Sequence, residues 1–83
     1  MTVLTPRQKE ILQLVTNGFS YREIGLILDI RHDTVKNHVS EINRRLGVSN
    51  RVESIIYAAY LGLIDLEIAT LSVLSRIQSR KLI

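Results

Sequence analysis

The stretch that decides the fold is RHDTVKNHVSEINRRLGV, residues Arg31 to Val48. Wound as a helix at about 100° per residue, it brings Val35, Val39, Ile42 and Leu46 within about 60° of one another, a stripe that must be buried. The opposite surface carries Asp33, Asn37, Ser40 and Arg44, with Lys36 and Asn43 on one shoulder and Thr34, His38 and Arg45 on the other. An ordinary amphipathic helix mixes its charges on the wet side. This one is mostly basic there, which raises the question of what that side faces.

Charge placement along the chain narrows the answer. The formal net charge is +3. In residues 1–30, Arg7, Lys9 and Arg22 balance Glu10, Glu23 and Asp29; in residues 52–83, Arg76, Arg80 and Lys81 balance Glu53, Asp65 and Glu67. The whole excess therefore lies in residues 31–51, where Arg31, Lys36, Arg44, Arg45 and Arg51 outnumber Asp33 and Glu41. A local positive field on one helix and its exit loop suits a polyanion.

Composition sets the other limits. The 83 residues make one small domain with no Cys, which excludes disulfides, thiolate metal sites and a cysteine nucleophile. One Pro and four Gly among abundant Leu, Ile and Ala predict an all-helical chain. No apolar run approaches the ~20 residues that span a bilayer, and the start lacks a signal-peptide layout, so a cytoplasmic protein is expected.

Helix punctuation is explicit. Thr5, Pro6 and Gln8 form a capping-box start, Ile11, Leu12, Leu14 and Val15 follow as its apolar face, and Gly18 supplies the stop. Ser20 and Glu23 repeat the device for a short helix over about Tyr21 to Leu28, followed by a tight turn around Asp29–Arg31. The next helix runs to about Leu46 and stops at Gly47. Asn50 and Glu53 start a fourth through RVESIIYAAYL, ended by Gly62, and Asp65 caps a fifth from Leu66 to about Arg80. Arg76, Arg80 and Lys81 suit the dipole at its end.

A short helix, a turn of about three residues and a longer helix with a polar outer face form a helix-turn-helix arrangement. The second helix must be gripped from behind so that its front can enter a major groove about 12 Å wide. Further marks are Leu4-Thr5-Pro6-Arg7, the Gly18 turn, Glu23-Ile24, Leu28, Ile30, Thr34-Val35-Lys36 with His38, Ile42, Arg45-Leu46-Gly47-Val48 and Asn50-Arg51. At this spacing the chain, over roughly residues 4–64, resembles the LuxR/FixJ/GerE-type DNA-binding domain of bacterial transcription regulators.

The resemblance implies a four-helix domain over residues 1–64, whose third helix enters the major groove and whose fourth makes a homodimer. Residues 65–83 are then a C-terminal helical extension. Lys36, Asn37 and Ser40 fall where the family reads base edges; Thr34, His38, Arg45 and Arg51 fall where it holds phosphates or braces the helix. The side-chain chemistry is compatible, since Lys36 can donate to guanine O6 or N7 and Asn37 can pair bidentately with adenine. Arg44, central on the outer face, adds a phosphate contact that the family pattern does not require. Ile55, Ile56, Ala59 and Tyr60 lie on the family's dimer helix.

In the fifth helix Leu66, Ala69, Val73 and Ile77 make one apolar row, and Ile68, Leu71 and Leu74 make an adjoining one. Two rows exceed what one groove needs, so Leu66, Val73 and Ile77 are expected to extend the subunit interface. Three positions depart from the family. Arg31 stands where Ser or Thr usually caps the recognition helix, a change worth about 1 kcal/mol; either Asp33 caps one turn later or Arg31 gives up cap stability for a phosphate contact. Gly25 replaces Ala at about 1 kcal/mol of helix propensity while permitting a closer helix approach. Leu26 and Ile27 replace polar residues, and Leu26, about 160° from Ile24 and Leu28, wants a partner.

Other functions are weaker fits. His32 and His38 are six apart and cannot chelate one metal as an i, i+4 pair does. No glycine-rich phosphate loop, paired carboxylates or nucleophile–base arrangement is visible, so neither an enzyme nor a cofactor is expected. The polar face of residues 66–83 is mixed and too weakly basic for a membrane-surface helix. The remaining alternative is a helix-turn-helix-fold protein that binds and modulates another regulator, favoured by Leu26 and the extra helix. The expected partners are double-stranded DNA, a second copy of the chain, and RNA polymerase or another regulator, at the nucleoid. Met1 favours a stand-alone regulator over a module of a longer one.

Overall fold

The computed structural model describes residues 3–81, and Met1, on which the stand-alone expectation rests, lies outside them. Five helices follow in order: α1 Pro6–Thr16, α2 Tyr21–Leu28, α3 His32–Leu46, α4 Arg51–Tyr60 and α5 Leu66–Lys81. The described residues contain no strand. The expected all-α architecture holds, with each start within a residue of the local signals.

Those signals work through short-range hydrogen bonds. The Thr5 hydroxyl accepts the Gln8 N–H at 3.1 Å, and the Gln8 amide oxygen accepts the Thr5 N–H at 2.9 Å. Ser20 and Glu23 make the same reciprocal pair at the start of α2. Asn50 accepts from Glu53 N–H, but the Glu53 carboxylate turns back to the Ser49 N–H, one residue outside the cap. Asp65 accepts the Ile68 N–H at 3.0 Å. Thr5, Ser20, Asn50 and Asp65 each satisfy an N–H that the first helical turn leaves open. Arg31 is the exception. It holds the N-cap of α3 with no side-chain hydrogen bond, and Asp33 does not cap a later turn, because α3 is already helical from His32.

The core is built around α3. Val35, Val39, Ile42 and Leu46 are buried against Leu4, Ile11, Leu12 and Val15 from α1 and its lead-in, Ile24 from α2 and Ala58 from α4. Phe19, Tyr21, Leu28, Ile30, Val48 and Leu63 close its edges. Ser54, fully buried on α4, donates its hydroxyl to the Asn43 side-chain oxygen, adding a polar tie between α3 and α4.

The α2–α3 turn explains one departure. Asp29 takes the left-handed conformation at φ 56°, which Asp tolerates better than most residues, and Ile30 N–H returns to the Gly25 carbonyl at 2.9 Å. A Cβ on Gly25 would stand 2.7 Å from the Ile30 carbonyl oxygen and 3.4 Å from the His32 nitrogen. The close approach inferred for Gly25 is thus between α2 and the backbone that launches α3.

α5 packs on α1. The Gln13 side chain clamps its start, donating to the Asp65 carbonyl at 2.9 Å and accepting the Asp65 N–H at 2.7 Å. The Asn17 carbonyl accepts from Ser72 at 3.2 Å and from Arg76. Ala69 is the helix's buried residue, and Val73 lies over Gly18. Ala69 and Val73 therefore serve docking within the chain, while Ile68, Leu71 and Leu74 stay exposed.

Gly25→Ala is expected to destabilise the domain by about 1–3 kcal/mol, because overpacking against fixed backbone outweighs the gain in helix propensity. Urea unfolding checks this; an unchanged or raised midpoint would mean that the turn can give way without cost.

Candidate nucleic-acid interface

With its apolar stripe buried, α3 presents its other side to solvent as the sequence requires. Lys36, Asn37 and Ser40, the expected base readers, are all exposed on α3. Arg31, Arg44, Arg45 and Arg51 are exposed as well, whereas Thr34 and His38 are half-buried at the shoulders of the helix. Asn43, on the Lys36 shoulder, is used internally by Ser54.

The basic side chains at the end of α3 are not free. Arg44 Nε donates to Glu41 Oε2 at 2.9 Å, and Arg45 Nε donates to Glu41 Oε1 at 3.2 Å. Arg45 also reaches the Val3 carbonyl at 3.5 Å, tying the end of α3 to the segment before α1. Hydrogen bonds from Arg44 and then Arg45 lower the Glu41 carboxyl to a pKa of about 2. One carboxylate thus holds two guanidinium groups in fixed directions and offsets part of the local field. Lys36, one turn and more toward the start of α3, has no carboxylate partner among the described residues.

Arg51 is positioned differently. At the first residue of α4 its guanidinium carbon lies 5.5 Å from the centre of the Tyr21 ring, which begins α2. The starts of α2 and α4 are therefore neighbours, and a cation sits between them. Sequence reasoning identified Arg51 but not this stacking, which joins residues 30 positions apart.

On α4, Ile56 and Tyr60 are 65% and 82% exposed, and the Tyr57 and Tyr60 rings stack with centroids 6.3 Å apart. Ile55 and Ala59 are half-buried on the same helix. Ile55 lines a shallow apolar groove with Leu66, Ala69, Val73 and Leu74 of α5. Of the α5 positions expected at a subunit interface, Leu66 is half-exposed, whereas Val73 and Ile77 are partly buried. No group of three or more His, Cys, Asp or Glu stands together as a metal site among the described residues, and none of their helices is long and apolar enough to cross a membrane.

A helix-turn-helix pair with a gripped second helix and a basic, solvent-facing front defines a DNA-binding domain. The chain belongs to the luxR family of bacterial regulatory proteins, whose sequence pattern matches residues 2–58. It is 46% identical over 54 residues to the transcriptional regulatory protein DegU of Brevibacillus brevis, covering 65% of this chain and 23% of DegU. It is 44% identical over 63 residues to the response regulator protein VraR of Staphylococcus aureus, covering 76% of this chain and 30% of VraR. The solved structure of the transcription factor GerE superposes with a TM-score of 0.77 at 38% identity, covering 80% of this chain and 98% of GerE. The chain thus spans under a third of the length of these two regulators, and its likeness to them is that of a LuxR-type helix-turn-helix DNA-binding domain.

The Glu41 pair gives a pH expectation. A carboxyl whose pKa is depressed on folding stabilises the fold above its unfolded value, near 4.3, and loses that contribution as pH falls through the folded value of about 2. In an NMR titration the Glu41 side-chain carboxyl should stay ionised at pH 3, where an ordinary glutamate is protonated. A midpoint near 4 would show that the two arginines do not hold it in solution.

Proposed function

We propose that the chain regulates transcription by binding a two-half-site DNA operator as a homodimer, with α3 in the major groove. The observation that carries this reading is the division of α3: Val35, Val39, Ile42 and Leu46 are buried while Lys36, Asn37 and Ser40 stand exposed together on the other side. Lys36, Asn37 and Ser40 read base edges. Thr34, His38, Arg31, Arg44, Arg45 and Arg51 contact phosphates or hold α3 in register. The absent side-chain cap at Arg31 fits this division, since a cation at the start of α3 gives up cap energy and remains available to a phosphate.

The dimer forms through α4, with Ile56 and Tyr60 at its centre and Ile55 and Ala59 at its edge. α5 widens that surface through Leu66, with Val73 and Ile77 behind it. Twofold pairing sets the two recognition helices about one DNA turn, or about 34 Å, apart. A second reading, in which the domain binds another regulator or RNA polymerase, is favoured by one feature. Leu26 is 79% exposed and Ile27 half-exposed on α2, where α5 of the same chain leaves them uncovered. Selection of binding sites from random duplexes separates the two readings, because failure to enrich any site would favour the protein-binding one.

Lys36→Ala should weaken binding to the selected site by about 1–3 kcal/mol and leave binding to random DNA nearly unchanged. Equal losses on both would make Lys36 a phosphate contact instead of a reader. For the dimer, Ile56→Glu combined with Tyr60→Glu should convert the protein to monomer in sedimentation experiments at tens of micromolar and sharply weaken operator binding. A wild-type chain that sediments as a monomer at that concentration would rule out the α4 interface.

A further inference from the structure

The end of α5 arrives at the same edge of the domain as the starts of α2 and α4. Gly18 marks the junction: on one side it lines a cleft with Phe19, Arg51 and Val52, and on the other a cleft of about 440 Å³ with Glu23, Val73, Arg76 and Arg80. Arg76 is held there by built contacts. It donates to the Asn17 carbonyl, and its guanidinium carbon lies 4.4 Å from the centre of the Phe19 ring. A Cβ at Gly18 would meet that guanidinium, so the bare glycine leaves room for the arginine beside the α1–α2 turn.

The result is a cluster of cations gathered from three helices. Arg22 in the first turn of α2, Arg51 at the start of α4, and Arg76, Arg80 and Lys81 on α5 outnumber the two carboxylates at those helix starts, Glu23 and Glu53. Glu23 is itself engaged, accepting the Ser20 N–H at 2.8 Å. Arg80 and Lys81 are exposed. Basic residues at a helix end are explained in part by the helix dipole alone. The dipole does not explain why the second half of the helix is held, through Ser72 and Arg76, on the α1–α2 turn that also borders Arg51.

We propose that Arg80 and Lys81, positioned by Arg76, form a second contact to the DNA backbone that continues the phosphate track from Arg51 past the start of α2. The first helix of a helix-turn-helix pair crosses the sugar–phosphate backbone, so cations flanking its start lie along the strand that leads away from the recognition site. The contact is sequence-independent and lengthens the footprint beyond the bases that α3 reads. This inference rests on the DNA-binding reading above, which supplies the orientation of α2 on the duplex.

The test uses the full chain and a fluorescent duplex of random sequence, with affinity measured by anisotropy over a series of salt concentrations. Each lost phosphate contact flattens the plot of log affinity against log salt by about 0.9, so Arg80→Ala with Lys81→Ala should flatten it by about 1.8. Arg80→Lys with Lys81→Arg should keep the wild-type slope. Adding Glu67→Lys to the double alanine variant restores the net charge from the opposite end of α5 and should leave the slope flat. A double alanine variant with the wild-type slope, or a slope restored by Glu67→Lys, would overturn the second contact while leaving the α3 reading intact. A wild-type chain that binds no duplex at low salt would overturn both.

Discussion

Everything in this domain depends on the grip that α1, α2 and α4 keep on one side of α3. Val35, Val39, Ile42 and Leu46 are each buried, and full burial of such side chains is worth about 1.5–3 kcal/mol apiece. That apolar contact fixes the rotation of α3 about its own axis. A turn of one residue, about 100°, would bring Lys36 into the core and Val35 into water. The direction in which Lys36, Asn37 and Ser40 point is thus decided by residues that never touch solvent.

Local electrostatics refine what that rotation exposes. Glu41 shares its carboxylate between Arg44 and Arg45, which orients both guanidinium groups and lowers the charge available at the end of α3. Lys36 and Arg51 carry no such partner among the described residues, and stand in the first half of α3 and at the start of α4. Surface pairs of this kind add little to stability. Their effect lies in direction and in the number of cations left to meet phosphate.

Much of this was legible from the residues alone, for a physical reason. Caps act across three positions, so Thr5–Gln8, Ser20–Glu23, Asn50–Glu53 and Asp65–Ile68 declare themselves in sequence. The stripe on α3 is likewise a matter of period. Contacts across long separations were not legible. Gln13 with Asp65, Asn17 with Arg76 and Arg51 with Tyr21 join segments 30 to 59 residues apart, and no local pattern marks them. The two apolar rows of α5 could be seen, but not which of them would face α1; Ala69 is buried, leaving Ile68, Leu71 and Leu74 outside. Gly25 was read as a departure permitting closer approach, and the Ile30 carbonyl supplies the atom that demands it.

The Gln13 clamp has a consequence for the order in which the chain assembles. It joins the first helix to the start of the last, closing a loop of 52 residues, whereas α1 to α4 are linked by short turns. Long loops are closed at greater entropic cost, and with Ala69 the helix's single buried side chain, α5 has little apolar burial to offset it. α5 is therefore the last helix to dock and the first to detach. Its amides should exchange with solvent through local opening, ahead of those of α3, whose protection reports unfolding of the whole domain.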